Sequence, residues 1–148
     1  MLGLTKKTGY GLIAMTHLAR LPAGQLASAR EIAERFGTSR SLLMNVLKEL
    51  AAAGYVDSVR GARGGYRIVP GWEKMTLADL VTTLEGRIRL AECIAPDGPG
   101  RESICRLIDN CPIANPVHRV QRKLEDFLKQ VTLAEIVSSA GAVAAARE

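Results

Sequence analysis

Aromatic residues are scarce in this 148-residue chain, at 4%, with two Phe, three Tyr and one Trp. Its core must therefore be mostly Leu, Ile, Val and Ala, which favours helices over an all-β fold. No apolar run approaches the roughly 20 residues that a membrane helix needs. The opening Met-Leu-Gly-Leu-Thr-Lys-Lys passes directly into amphipathic sequence, without a signal-peptide apolar region and cleavage site. A cytoplasmic protein with no membrane partner is the expectation, in a compartment where stable disulfides are rare. No nucleophile–base pairing and no phosphate-loop motif is present, which argues against an enzyme.

What the chain does have is an uneven charge. Of the net +5, residues 1–70 hold ten Lys and Arg against four Asp and Glu, and residues 71–148 hold ten against eleven. The first half is a candidate polyanion binder. By charge alone, a solvated basic surface would look the same.

Residues 5 to about 21 predict a helix, because Tyr10, Ile13, Ala14, His17, Leu18 and Leu21 recur at steps of three and four. Pro22-Ala23-Gly24 stops it. His17, on the apolar face, reads as a core or interface residue. Ser28 and Glu31 form a capping box for a short helix that turns Ile32, Ala33 and Phe36 to one side and ends at Gly37. Thr38 and Ser39 offer N-caps for a further helix to about residue 53, with Leu43, Val46, Leu47 and Leu50 as its stripe and Gly54 as its stop. Two helices joined by a tight turn form a helix-turn-helix or an ordinary helical hairpin. Residues 55–59 and 66–69 then read as strands around Arg60-Gly61-Ala62-Arg63-Gly64-Gly65. Helix, turn, helix and basic hairpin, in that order, predict a winged helix.

Thr76, with Asp79 three residues on, opens another helix to about residue 86. Residues 91–116 read as a long loop containing Pro96, Gly98, Pro99, Gly100, Pro112, Pro116 and all three cysteines. Val117, Val120, Leu124, Phe127 and Val131 then form a heptad-like seam. A homodimer would bury it, unless the helix packs back on its own domain. Thr132 and Glu135 cap a short helix through Val137, and the Ala-, Gly- and Ser-rich tail reads as disordered. The expected fold is mainly α with a small β-hairpin wing: a winged helix-turn-helix plus a long C-terminal dimerisation helix. Its parts are a DNA-binding domain over 1–71, a linking helix over 72–90, a cysteine-containing loop over 91–116, the dimerisation and terminal helices over 117–137, and a disordered tail over 138–148.

A recognition helix sets its N-terminal residues against base edges in the major groove. Here those are Ser39, Arg40, Ser41, Met44 and Asn45, with Lys48 one turn on. Arg grips guanine bidentately and Asn does the same for adenine, whereas Ser and Lys more often hold phosphate. In the hairpin, Arg60 and Arg63 flank a turn made tight by Gly61, Gly64 and Gly65. They are placed to enter a minor groove or hold phosphates, although the glycines would serve a plain hairpin equally. A dimer would set two such units on a palindromic double-stranded site.

Cys93, Cys105 and Cys111 follow the spacing C-x11-C-x5-C. An odd number cannot all pair within the chain. Crowding in a Pro- and Gly-rich loop is unlike the usual buried, inert thiol. Three thiolates need a further ligand to close a metal site. Iron–sulfur clusters take four ligands, usually Cys and sometimes His, and structural zinc accepts three Cys and one His. His118 is the nearest candidate. A cluster, a zinc site and a thiol–disulfide switch all remain open on the spacing.

Taken together, these segments resemble the Rrf2 family of bacterial regulators over roughly residues 2–137. The carriers are Leu4-Thr5, Tyr10-Gly11-Leu12, Ile32-Ala33-Glu34, then Leu47, Leu50 and Gly54-Tyr55-Val56. Val59-Arg60-Gly61-x-x-Gly64-Gly65-Tyr66, the cysteine group with Cys111-Pro112, and Thr132-Leu133-Ala134-Glu135-Ile136 complete them. The resemblance implies a homodimeric DNA-binding repressor with a 2Fe–2S or 4Fe–4S cluster on the three cysteines. It would sense iron–sulfur status, redox state or nitric oxide. Two positions that supply a fourth ligand in family members are Ala114 and Gly9 here. That leaves His118, a partner side chain or an exogenous ligand. The alternative is a thiol-redox or zinc-dependent regulator of the same fold.

Overall fold

Thr5 starts the first helix by accepting the Lys7 amide on its hydroxyl at 3.1 Å, and α1 then runs over Lys6–Arg20. This computed structural model describes residues 4–91, 93–94 and 105–145. Pro96, Gly98, Pro99 and Gly100 of the expected loop lie outside the described residues, as do residues 146–148 of the expected tail. The Ser28–Glu31 capping box forms in both directions and opens α2, Ala29–Phe36. Gly37 closes α2, and Ser39 caps α3, Arg40–Ala52. Strands β1, Val56–Val59, and β2, Gly65–Ile68, pair antiparallel in the register Val56↔Ile68 to Val59↔Gly65. A bridge between Ala27 and Tyr66 ties β2 to the chain entering α2, through amide–carbonyl bonds of 2.9 and 2.8 Å. A 3-10 turn, Trp72–Lys74, leads to α4, Leu77–Glu85, which Thr76 and Asp79 cap reciprocally. A second 3-10 turn, Ile108–Asn110, precedes α5, Ala114–Gln130, and α6, Leu133–Ala145, ends the described chain.

One apolar cluster holds these elements. Met15 and Leu18 of α1, Ile32 of α2, and Leu43, Leu47 and Leu50 of α3 meet Leu80 and Leu84 of α4 and Leu133 of α6. The α4 segment, expected as a linking helix, contributes Leu80 and Leu84 to this core. Leu80, Val81 and Leu84 share one face of α4 and all are buried. The start of α6 is pinned to the same body. Leu77 donates its amide to the Val131 carbonyl and Leu133 donates to Met75, each at 2.8 Å.

Three other expectations need correcting. First, α5 starts at Ala114 rather than Val117, and Pro116 sits in its first turn, where a missing N–H costs nothing. Second, the helix expected to stop at Val137 continues to Ala145, so the described part of the tail is helical. Alanine is the best helix former, and the Ser138 and Ser139 hydroxyls donate back to the Ala134 and Glu135 carbonyls at 2.8 Å. Third, Phe36, expected on one face of α2 with Ile32 and Ala33, is 44% exposed where those two are buried.

Candidate nucleic-acid interface

The stripe Leu43, Val46, Leu47 and Leu50 anchors α3 in the core, which turns the opposite side of that helix outward. Arg40, Ser41, Asn45 and Lys48 are exposed there, with Ser39 at the N-cap. These residues share one accessible face and its N-terminal end. Met44 is different, being half-buried and packed against the core. The Ser39 hydroxyl accepts the Leu42 amide at 3.4 Å and lies 3.2 Å from the Ser41 hydroxyl.

Two contacts that the sequence did not announce fix where this helix points. The Ser39 amide donates to the Tyr10 hydroxyl of α1 at 3.2 Å. Lys7 Nζ of α1 pairs with Glu49 Oε2 of α3 at 2.8 Å. The apolar periodicity of α1 includes Tyr10 but says nothing of its hydroxyl, and Lys7 reads as a solvated charge. An amphipathic side chain with an apolar body and polar tip is the available signal for Tyr10.

The wing is built by close approach. A Cβ on Gly64 would lie 2.2 Å from the Val59 carbonyl oxygen, and one on Gly65 would lie 2.8 Å from that of Ala27. Only glycine lets these backbones meet. Arg60 and Arg63 project from the turn, exposed and without an ion-pair partner among the described residues. Arg67 is occupied instead, pairing with Asp57 across the hairpin at 3.1 Å. The free cations of the wing are therefore at its tip.

The cysteines lie between α4 and α5. Cys93 is buried, Cys105 and Cys111 are half-buried, and no disulfide joins them. Thiolates suit an iron–sulfur cluster or zinc, so the chemistry of the donor set fits either group. Among the described residues, however, no three His, Cys, Asp or Glu side chains converge into a metal-holding group. His118 lines a groove on α5 with Asn115, Arg119 and Arg122. No cysteine is among the described residues lining that groove.

Gln121 is the residue sequence reasoning missed in this region. It is buried on α5, donates to the Ile88 carbonyl at 2.6 Å and to Glu125 Oε1 at 2.8 Å, and accepts the Leu90 amide at 3.0 Å. It therefore clamps the chain that leads into Cys93. The other side of α5 carries the expected seam. Val117, Leu124 and Val131 are half-buried, whereas Val120 and Phe127 are 53% and 60% exposed. Ile113, also 60% exposed, extends that outer row by one heptad.

A recognition helix held by its apolar face, with a basic-tipped wing beside it, defines a winged-helix transcription regulator. A protein-family model described as Rrf2, iron-dependent transcriptional regulator, matches residues 4–139. The chain belongs to that family, whose members bind DNA and are typically dimeric. Its structure is similar to that of CymR (YrzC), the global cysteine regulator of B. subtilis, at 28% identity and a TM-score of 0.70 over 94% of this chain and 98% of that one. The oxidized form of Staphylococcus aureus CymR matches at 26% identity and 0.68, over 92% and 96%. The IscR of T. potens matches at 28% and 0.67, over 94% and 88%. Among the described residues, no helix is long and apolar enough to cross a membrane.

Proposed function

We propose that this regulator is a homodimeric repressor that reads a palindromic operator and senses iron–sulfur status, redox state or nitric oxide through Cys93, Cys105 and Cys111. The observation that carries the reading is the place of the three thiols. They sit on the one segment joining α4 to α5, between the helix that completes the DNA-binding core and the helix that presents the apolar seam. Arg40 and Asn45 read bases, Ser39, Ser41 and Lys48 hold phosphate, and Arg60 and Arg63 reach the flanking groove with Gly64 and Gly65 shaping the turn. Met44 supports this face from below. Val117, Val120, Leu124, Phe127 and Val131 meet their counterparts on a second copy.

The three cysteines would hold the cluster, with His118 or a partner group as the fourth ligand. When bound, such a cluster supplies a redox-active centre that oxygen, nitric oxide or iron shortage can alter. The chain itself carries the consequence. Gln121 fixes residues 88–90 to α5, Glu85 fixes the end of α4 to the start of α1, and Lys7 and Tyr10 of α1 hold α3. A signal at the cysteines acts by favouring one of two arrangements of this series of contacts.

A second reading has its own support. Likeness to an oxidized CymR favours a thiol switch without a cluster. Anaerobic reconstitution separates the two. A brown protein with visible absorption and stoichiometric iron and sulfide supports the cluster. A colourless, iron-free protein that gains a Cys–Cys bond under oxidant, seen as a mass loss of two hydrogens, supports the thiol switch and overturns the first reading.

A further inference from the structure

The second half of α1, the end of α2 and α6 line an open cavity of about 580 Å³, with no cysteine and no residue of α3 among its lining. That lies within the roughly 300–1,000 Å³ of small-molecule sites. Its walls are largely apolar, formed by Leu12 and Ile13 of α1, Leu21 at the C-cap of that helix, Phe36 of α2, and Ile136 and Ala140 of α6. Arg20 and Arg35, both exposed, also line it. Neither has a carboxylate partner among the described residues. Arg20 is oriented by donating to the Val137 carbonyl at 3.1 Å, and Arg35 lies over the Phe36 ring, 5.8 Å from its centre.

Two oriented guanidiniums over an apolar chamber form a complementary receptor for one kind of molecule. The planar forks match a carboxylate, and the chamber takes an apolar body. His17 stands inside, edge-on to Phe36 at 5.7 Å. Burial, with the charge of Arg35 adding to it, holds its imidazole below the ordinary value. That leaves Arg20 and Arg35 as the groups in the lining suited to pair with an anion.

We infer that this cavity is a binding site for a small amphipathic carboxylate, of the medium-chain fatty-acid type, with its carboxylate on Arg20 and Arg35 and its chain against Ile13, Phe36 and Ile136. The inference is independent of what the cysteines hold. A molecule seated there joins α6 to the last turn of α2, immediately ahead of the turn into the recognition helix. It is thus placed to act on the DNA-binding unit through α2.

The test is calorimetric titration of the full chain with octanoate, and with 1-octanol as the uncharged control of equal length. Octanoate should saturate one site per chain and bind about tenfold more tightly than octanol, the scale of a charge-assisted bond. Arg35→Gln and Arg20→Gln should each weaken octanoate severalfold and leave octanol unchanged. Ala140→Trp, which fills the chamber, should abolish binding of both. Unsaturable octanoate binding overturns the proposal, as does affinity indifferent to both arginine substitutions in variants that melt like the parent. Absence of octanoate binding, with Ala140→Trp instead converting a dimer to monomer, would assign the cavity to a second copy and also overturn it.

Discussion

Glu85, the last residue of α4, accepts the buried Thr8 of α1 twice on one oxygen: from its amide at 3.2 Å and from its hydroxyl at 2.8 Å. The Thr5 hydroxyl donates to the same oxygen. A carboxylate at a helix N-terminus satisfies orphan amides and meets the positive end of the helix dipole. The contact therefore joins the helix leading to the cysteines to the helix that holds the recognition helix.

Replacing Glu85 by Gln keeps the shape and removes the charge. Burial pushes the Glu85 carboxyl up, and the hydrogen bonds from Thr5 and Thr8 outweigh it, holding the carboxyl below its ordinary value. A carboxyl depressed in the folded state stabilises above the unfolded value, and that stability is lost as pH falls through the folded value. Glu85→Gln should thus cost about 1 kcal/mol at pH 7. The difference from the parent should shrink below the ordinary carboxylate range. Thermal melts of both proteins between pH 7 and pH 3 check this, and a pH-independent difference would remove the charge from the account.

The wing gives a prediction that separates binding from folding. Gly64→Ala drives a methyl group into the Val59 carbonyl and also crowds Gly61, which forces the turn open at a cost of about 1–3 kcal/mol. The strain falls on a two-stranded hairpin at the edge of the domain. Duplex DNA affinity should fall clearly while helical content, read by circular dichroism, stays near that of the parent. Unchanged DNA affinity would show that the tip carrying Arg60 and Arg63 does not touch the duplex.

On the recognition helix, the kind of loss distinguishes roles. Arg40→Ala and Asn45→Ala should each weaken operator binding by ~1–3 kcal/mol and relax discrimination at one base position. Lys48→Ala should weaken binding to all duplexes alike and reduce the salt slope by about one. Affinities for an operator and a scrambled duplex, each at several salt concentrations, decide between them. Met44→Leu should leave both quantities near the parent values, because Met44 packs against the core.

The winged helix was legible because its signals are local. The capping pairs at Ser28 and Thr76, the stripe from Leu43 to Leu50 and the wing glycines each declare themselves within a few residues. What escaped is tertiary. Tyr10 to Ser39, Thr8 to Glu85 and Gln121 to Ile88 join residues far apart in sequence, by polar atoms that periodicity does not register. The continuation of α6 to Ala145 escaped for another reason. A run of Ala, Gly and Ser has little apolar contrast from face to face, so its helix is set by propensity and by anchoring at Leu133 rather than by pattern.

The seam on α5 makes the strongest demand on assembly. Ile113, Val120 and Phe127 are seven residues apart and at least half exposed, while Gln121 and Leu128 face the chain's own body. A helix that has already buried one face against α4 and still shows an apolar row on another has an unfilled interface. Phe127 is its largest side chain, and a buried aromatic anchor typically contributes about 2 kcal/mol or more to association. Phe127→Asp should therefore raise the dimer dissociation constant roughly thirtyfold or more. The fold should survive, because Phe127 lies outside the core cluster. Sedimentation equilibrium measures the first effect and thermal melting of the dilute variant the second. Operator affinity should fall with dimer population, since each recognition helix alone contacts half of a palindrome. If Phe127→Asp sediments like the parent, the row belongs to some contact other than the dimer, and the proposed pairing of recognition helices loses its basis.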